Sequence, residues 1–421
     1  MTCMNEETIA KKNNKRNKFL LILGKETSRF GNILFDYANS ILIVDMFKTN
    51  AFLLAIYQSS EMIISMVVSL LGGVFADQGK KKKIIVITDV LSALVCILVA
   101  LFVKSQIFVI TIVIANILLA ILHSFNSPVY SSIIRDTIER KEIPKFNSVQ
   151  NGASEAVRVG GTAVAAAMVG VVGTQGALII DAATFILSAI SESRLLMWIK
   201  NNYDAKQHVN VLNNLKDGFR YLYSEKRILK IIIIMTFVNF FLSGYTLLVP
   251  YTNNYYQDTF INFYGKVLLV EAVGGIVGSI LNSRVKFKSE MIGLAVSLQL
   301  TGIFISLIPI LGDSEYYLVC LLPHFLAATI VAVYNIRFIS IIQLSTNAEY
   351  LGRVFSIVNV ASLIFVPAGA VVFANLCDVT KLSGYLLSGI GVFTFGFLSL
   401  FLDKSNHKDE DATTESLNSE N

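Results

Sequence analysis

The sequence predicts an all-α polytopic membrane protein, with twelve transmembrane helices in two pseudo-symmetric six-helix bundles. Three observations predict it. Apolar residues fill 54% of the 421 positions and charged residues only 15%, where soluble domains carry roughly 25% charged residues. The apolar residues are gathered into runs of membrane length with short polar breaks between them. The two halves of the chain also repeat one another. Twelve spans of about 20 residues need roughly 240 apolar positions, which this composition supplies. A soluble enzyme, a secreted disulfide scaffold, a disordered chain and a nucleic-acid reader are excluded. The net charge of +5 reads as basic loops on one side of a membrane rather than as a nucleic-acid surface.

The elements follow in order. The basic stretch Lys11, Lys12, Lys15, Arg16 and Lys18 heads the first run, 19–47. Its start, Leu20–Leu23, breaks into Gly24-Lys25-Glu26-Thr27 with no small-residue cleavage site, so it reads as a retained helix and not a signal peptide. Runs at 51–76, 83–103, 106–131, 148–171 and 173–197 complete the first half. The polar connection 200–227 carries Val211, Leu212, Leu215, Phe219 and Leu222 at helical spacing, with Lys216, Arg220, Lys226 and Arg227 between and after. That pattern predicts an amphipathic helix on the inner membrane face. Runs at 228–254, 261–283, 289–311, 315–340, 352–376 and 382–402 make the second half. Irregular backbone cannot face lipid, so all are helices. The expected organisation is a tail over 1–18, a bundle over 19–199, a linker over 200–227, a bundle over 228–402 and a disordered acidic tail over 403–421.

Lys and Arg set the orientation. Lys80–Lys83, Arg135, Arg140, Lys141, Lys145, Arg284, Lys286, Lys288 and Arg353 fall on one side, and only Lys48, Lys104 and Lys381 on the other. The first side is expected to be cytoplasmic, with both termini there, in the plasma membrane of what reads as a bacterial cell. Cys3, Cys96, Cys320 and Cys377 show neither a pairing pattern nor metal-ligand spacing, so free thiols are expected. No nucleotide-binding loop or nucleophile constellation occurs, so no enzyme, catalytic residue, metal or cofactor is expected.

The internal repeat is visible residue by residue. Ser132, Lys145, Ser148 and Asn151 each find a counterpart 208 residues later in Ser340, Arg353, Ser356 and Asn359. Gly72-Gly73-Val74-Phe75-Ala76 similarly matches Gly274-Gly275-Ile276-Val277-Gly278. Two parallel six-helix repeats joined by a long linker are the layout of an alternating-access transporter.

Between the second and third runs stands Gly73-Val74-Phe75-Ala76-Asp77-Gln78-Gly79 followed by Lys80–Lys83. This resembles the loop signature of the major facilitator superfamily, with one residue missing between Asp77 and Gly79 and an all-Lys basic run. The second-half copy has Ser279 where Asp77 would fall. Phe125-Asn126-Ser127-Pro128 leading to Ile143-Pro144-Lys145-Phe146-Asn147-Ser148, then Leu178–Phe185, then Gln343 with Leu351-Gly352-Arg353-Val354-Phe355-Ser356, are similar to the macrolide-efflux type of drug/proton antiporter. Two departures stand out: Val159-Gly160-Gly161-Thr162 has Thr where antiporters often have Pro, and the fourth helix has Asn116 but no Arg. The resemblance implies that Gly73, Asp77, Gly79 and Lys80 form a conformational latch, with Asp77 against a helix N-terminus. The same Lys run also anchors topology.

The residues themselves suggest the chemistry. Lys25, Ser28, Asn32, Asp36 and Asn39 step by 3, 4, 4 and 3 along the first helix and give it one polar face. That face must line a protein interior or a water-filled cavity. Asp36 is then either a protonatable group on the path or a carboxylate hydrogen-bonded within the bundle. Glu61 and Glu271 are further proton-carrier candidates, because a lone buried charge costs several kcal/mol. Asn116 and His123 on the fourth helix, and His324 on its repeat mate, are candidate cavity residues or satisfied interior groups. Asn239, Phe240, Ser243 and Tyr245, with Phe237 and Phe241, give the seventh helix an aromatic face suited to bulky amphiphiles or to packing. Glu155 and Arg158 at i, i+3 can pair, and with Arg353 are gating candidates. The function read from these features is export of amphiphilic, drug-like or macrolide-like compounds by alternating access, coupled to inward proton flow. The expected partners are the lipid bilayer, the substrate and protons, with the protein as a monomer. A facilitator or symporter for another solute, lipid-like ones included, and a non-transporting sensor or assembly partner are the alternatives.

Overall fold

A computed structural model describes residues 2–72, 81–103, 105, 107–196, 211–285, 289–347 and 350–419. Helices α1 Thr2–Met46, α2 Phe52–Gly72, α3 Lys81–Phe102, α4 Phe108–Thr137 and α5 Ile143–Ser193 make the first half. The second half is α6 Val211–Ser224, α7 Lys226–Leu248, α8 Thr252–Tyr255, α9 Phe263–Arg284, α10 Glu290–Leu311, α11 Tyr317–Ser345, α12 Leu351–Ile364, α13 Val366–Leu376 and α14 Gly384–Ser419. No strand occurs among the described residues.

Nine helices among the described residues are long and apolar enough to cross a membrane. Three expected spans fall outside that count for identifiable reasons. The polar stripe lowers the hydropathy of α1. The apolar stretch of α2 measured over the described residues is the shorter Phe52–Met66. The fifth and sixth spans form one element, α5, broken at Gly173, where φ is 70° and ψ 173°. Only glycine takes that backbone without a steric penalty, and the break sits where the sequence separates two runs. The run 352–376 is conversely two helices, α12 and α13. The break falls at Phe365, ahead of Pro367, which lacks the N–H that a continuous helix needs. The tail over 403–421, expected without regular structure, continues α14 as helix to Ser419; nothing from Asp403 on is Gly or Pro, so no residue stops the propagating helix.

The chain divides into two compact units. The first comprises Met1–Met46 and Ile56–His208, the second Phe47–Ala55 and Val209–Asn421. In unit 1, Leu21, Ile85, Val129, Ile133, Phe146 and Leu195 form an apolar core. On α3, Ile87, Leu91, Leu94, Leu98 and Leu101 are exposed at steps of 4, 3, 4 and 3, while Asp89, Ser92 and Cys96 point inward and are buried. Such a helix shows lipid its apolar face and keeps its polar face for the protein. Helices α1 and α5 approach closely at Gly31, where a Cβ would lie 2.1 Å from Thr184 Oγ1 and 2.3 Å from Asp181 Oδ1.

One end of unit 1 is clamped by polar side chains of α1. Asn17, fully buried, donates to Thr137 O at 3.1 Å and Leu196 O at 2.9 Å, and accepts from Leu196 N at 3.1 Å. Lys18 and Asn14 both bind the Glu142 carboxylate. Lys81 Nζ lies 2.8 Å from Asp136 Oδ2, with both side chains almost fully buried. In unit 2, Leu222 of the amphipathic α6 is buried against Ile228, Phe338 and Val354, while Phe219 and Tyr223 stay exposed.

Candidate functional site

The polar stripe of α1 divides into two sites. Its first half, Lys25, Ser28 and Asn32 together with Arg29, lines a cavity of about 370 Å³. Asp89 of α3, His123, Asn126 and Tyr130 of α4, and Glu192 of α5 complete the lining. Asp89, 1% exposed, accepts weak bonds from Ser28 Oγ and Asn126 Nδ2, both at 3.4 Å. Lys25 holds its ammonium 4.5 Å from the centre of the Tyr130 ring, a cation–π contact. Arg29 Nε lies 3.6 Å from Glu26 Oε2, and Glu26 accepts from Ser154 at 2.6 Å. Glu192 Oε2, Asn126 Oδ1 and His123 Nε2 find no hydrogen-bond partner among the described residues.

The second half of the stripe meets α2. Tyr57 OH donates to Asp36 Oδ1 at 3.1 Å. Asn116 of α4 fixes the same region of α2, donating to Tyr57 O at 2.8 Å and Ser60 Oγ at 3.3 Å. Asn39 is fully buried. Behind α1, Cys96 Sγ donates to the buried Asp181 at 3.0 Å, an inter-helix bond. Glu61, also on α2, interacts electrostatically with both Asp36 and Tyr57.

Unit 2 holds a compact relay. Tyr245 OH of α7 donates to Glu271 Oε1 of α9 and stands 2.8 Å from Nδ1 of His324 on α11. His324 is 1% exposed, and the ring of Tyr385 from α14 meets it edge-on at 5.9 Å. With the tyrosine hydrogen spent on Glu271, the His324 bond requires a proton on Nδ1, an assignment made from the network. A proton on His324 thus has a hydrogen-bonded route through Tyr245 to a carboxylate.

The other anticipated residues go elsewhere. Asn239 Nδ2 donates to Ser362 O at 3.0 Å, and Ser243 turns its hydroxyl onto Phe240 O at 2.7 Å. Phe237 stacks on Phe395 at 5.1 Å, and Phe240 and Phe241 pack edge-on against Phe373 at 6.3 Å. These groups hold α7 to α12, α13 and α14. Glu155 and Arg158 pair at 2.7 Å on an exposed surface. Arg353 lies over Tyr350, which stacks on Tyr221 of α6 at 4.5 Å. Gly73, Asp77, Gly79 and Lys80 lie outside the described residues. No group of His, Cys, Asp and Glu that could hold a metal occurs among the described residues.

Sequence reasoning passed over Asp89, Arg29, Asn126, Tyr130 and Glu192 as a site, and Arg337, whose guanidinium binds Glu290 Oε2 at 2.8 Å and Val285 O at 2.9 Å. The spacing Asp89, Ser92, Cys96 was a signal that could have found the inward face of α3.

The Major Facilitator Superfamily model matches residues 27–370. No curated protein matches the chain. Solved structures do. The nucleoside transporter NupG aligns with TM-score 0.71 at 13% identity over 91% of this chain and 99% of its own. A bacterial homologue of the iron transporter ferroportin in an inward-facing state gives 0.70 at 12% identity over 92% and 98%. An auto-inhibited POT family peptide transporter gives 0.69 at 12% over 92% and 97%. At these identities the likeness is one of fold.

Proposed function

The chain belongs to the Major Facilitator Superfamily, and from that premise we propose that it is a proton-coupled secondary transporter that exports amphiphilic compounds by alternating access. It is a membrane transporter and not an enzyme. One observation carries the coupling proposal: each unit holds a carboxylate within a helix that receives a bond from a neighbouring tyrosine, Asp36 from Tyr57 and Glu271 from Tyr245. A carboxylate in that setting changes its interactions sharply between its neutral and ionised forms. Proton loading then biases each unit toward one set of helix contacts, and the two facings differ in how well they tolerate the charge. Glu61 remains a third carrier candidate on α2. The Asp77 latch and the macrolide-efflux likeness belong to the same proposal.

The aromatic face of α7, where Phe237 stays exposed, supports an amphiphilic substrate through its apolar surface. The polar cavity of unit 1 favours a second reading, transport of a small polar solute by the same coupling. Purified protein in liposomes under an imposed pH gradient tests both. A macrolide and a cationic dye that evoke an internal proton signal support the first reading, and a signal from small polar solutes alone supports the second. A solute flux that ignores the pH gradient removes proton coupling.

A further inference from the structure

The cavity of unit 1 contains something that a merely structural polar cluster lacks. Glu192 is 2% exposed and lines the cavity, yet its Oε2 has no hydrogen-bond donor among the described residues. Asn126 Oδ1, on the same lining, is likewise without one. Buried acceptors left without donors cost on the order of 1–3 kcal/mol each, more when charged. They point to a ligand that brings N–H groups. A metal ion is a poor match, since no suitable ligand group occurs among the described residues. The nearby carboxylate, Asp89, lines the same cavity and accepts bonds of 3.4 Å from Ser28 and Asn126.

The same lining carries two cations. Lys25 rests on the Tyr130 ring, and Arg29 is held to Glu26 only at 3.6 Å. Two basic and two acidic side chains thus share one cavity wall. A solute with a single charge would satisfy one pair and be repelled by the other. A solute with both charges satisfies both. The volume of about 370 Å³ lies at the small end of the range for ligand pockets, roughly 300–1,000 Å³.

We propose that this cavity binds a small zwitterion of the amino-acid class, its ammonium on Glu192, Asp89 and Asn126 and its carboxylate on Lys25 and Arg29. The inference goes beyond the transport reading. It concerns binding within one unit and holds whichever way solute moves and whatever ion drives it.

The test is ligand-dependent thermal stability of the full-length protein in lipid nanodiscs, with no gradient present. The probes are glycine and L-leucine, their methyl esters, which keep the ammonium and lose the carboxylate, and their N-acetyl forms, which do the reverse. A ligand that binds only the folded state raises the melting temperature in a saturable way. The expected result is a shift with the free amino acids and at least about tenfold weaker apparent affinity for both blocked forms. Glu192→Gln should erase the preference for the free amino acid over its N-acetyl form. Lys25→Met should erase the preference over the methyl ester. Because Glu192 is unpaired when the cavity is empty, Glu192→Gln should melt, without ligand, no lower than the parent, which separates lost binding from lost folding. No shift with either amino acid, equal shifts with free and blocked forms, or unaltered discrimination in Glu192→Gln would each overturn the assignment. A failure of proton coupling in liposomes would leave it standing.

Discussion

Tyr245 Oη stands 2.8 Å from Nδ1 of His324 while its hydrogen is directed at Glu271. Three side chains from α7, α9 and α11 are thereby joined into one hydrogen-bonded line within unit 2. Removing the middle group breaks the line without changing its shape. Tyr245→Phe should therefore lower proton-coupled flux by about a hundredfold or more, the lower end of the range expected of a positioned proton-transfer group. Gradient-free exchange should persist. The check is the ratio of driven to exchange flux in liposomes. An unchanged ratio would show that the tyrosine serves packing alone.

Asp36 and Tyr57 form the corresponding pair in unit 1, with the carboxylate on the first helix and the tyrosine on the second. In unit 2 the order is reversed, the tyrosine being on α7 and the carboxylate on α9. The repeat visible in the sequence therefore does not carry the pair over position for position. Asp36→Asn keeps the bond from Tyr57 but cannot ionise. It should abolish the pH dependence of transport while leaving the protein folded. Flux that follows external pH in the mutant as in the parent would dismiss Asp36.

The buried Lys81–Asp136 pair gives a stability prediction. Losing one partner leaves an uncompensated buried charge, costing roughly 3–5 kcal/mol. Lys81→Met should thus sharply lower the unfolding midpoint. Lys81→Met with Asp136→Leu should recover most of it, because an apolar pair of similar volume is often neutral. Denaturant titration in detergent reads both, and a double variant no better than the single would contradict the account.

Glu142 lies between α4 and α5, outside the membrane-length helices. Hydrogen bonding by Lys18, followed by its charge and by Asn14, holds its carboxyl below the ordinary carboxylate value. A group depressed on folding contributes stability above its unfolded pKa and loses it as pH falls through the folded one. The difference in melting temperature between the parent and Glu142→Gln should be present at neutral pH and vanish in acid. A difference constant across that window would show that the clamp does not depend on the charge.

The helices were legible because membrane spans are written as long apolar runs, and the Gly173 break because two runs abut there. The polar face of α1 was legible for the same reason, since Ser28, Asn32 and Asp36 interrupt apolar sequence at helical steps. Asp89 and Glu192 were not. Glu192 lies at the end of a span beside Arg194, where a charge ordinarily faces the interface, and Asp89 stands alone about two turns into α3. Only packing of α1, α3, α4 and α5 turns them onto one cavity. The aromatic face of α7 was legible in part. Spacing shows that Phe237 and Phe241 share a face, but not that Phe373 and Phe395 pack against it.

The most direct measurement is substrate-evoked proton movement in liposomes holding the parent, Glu271→Gln or Asp36→Asn. The expected result is a proton signal that requires substrate in the parent and is lost in at least one variant, with gradient-free exchange retained. Full coupled transport in both variants would contradict it.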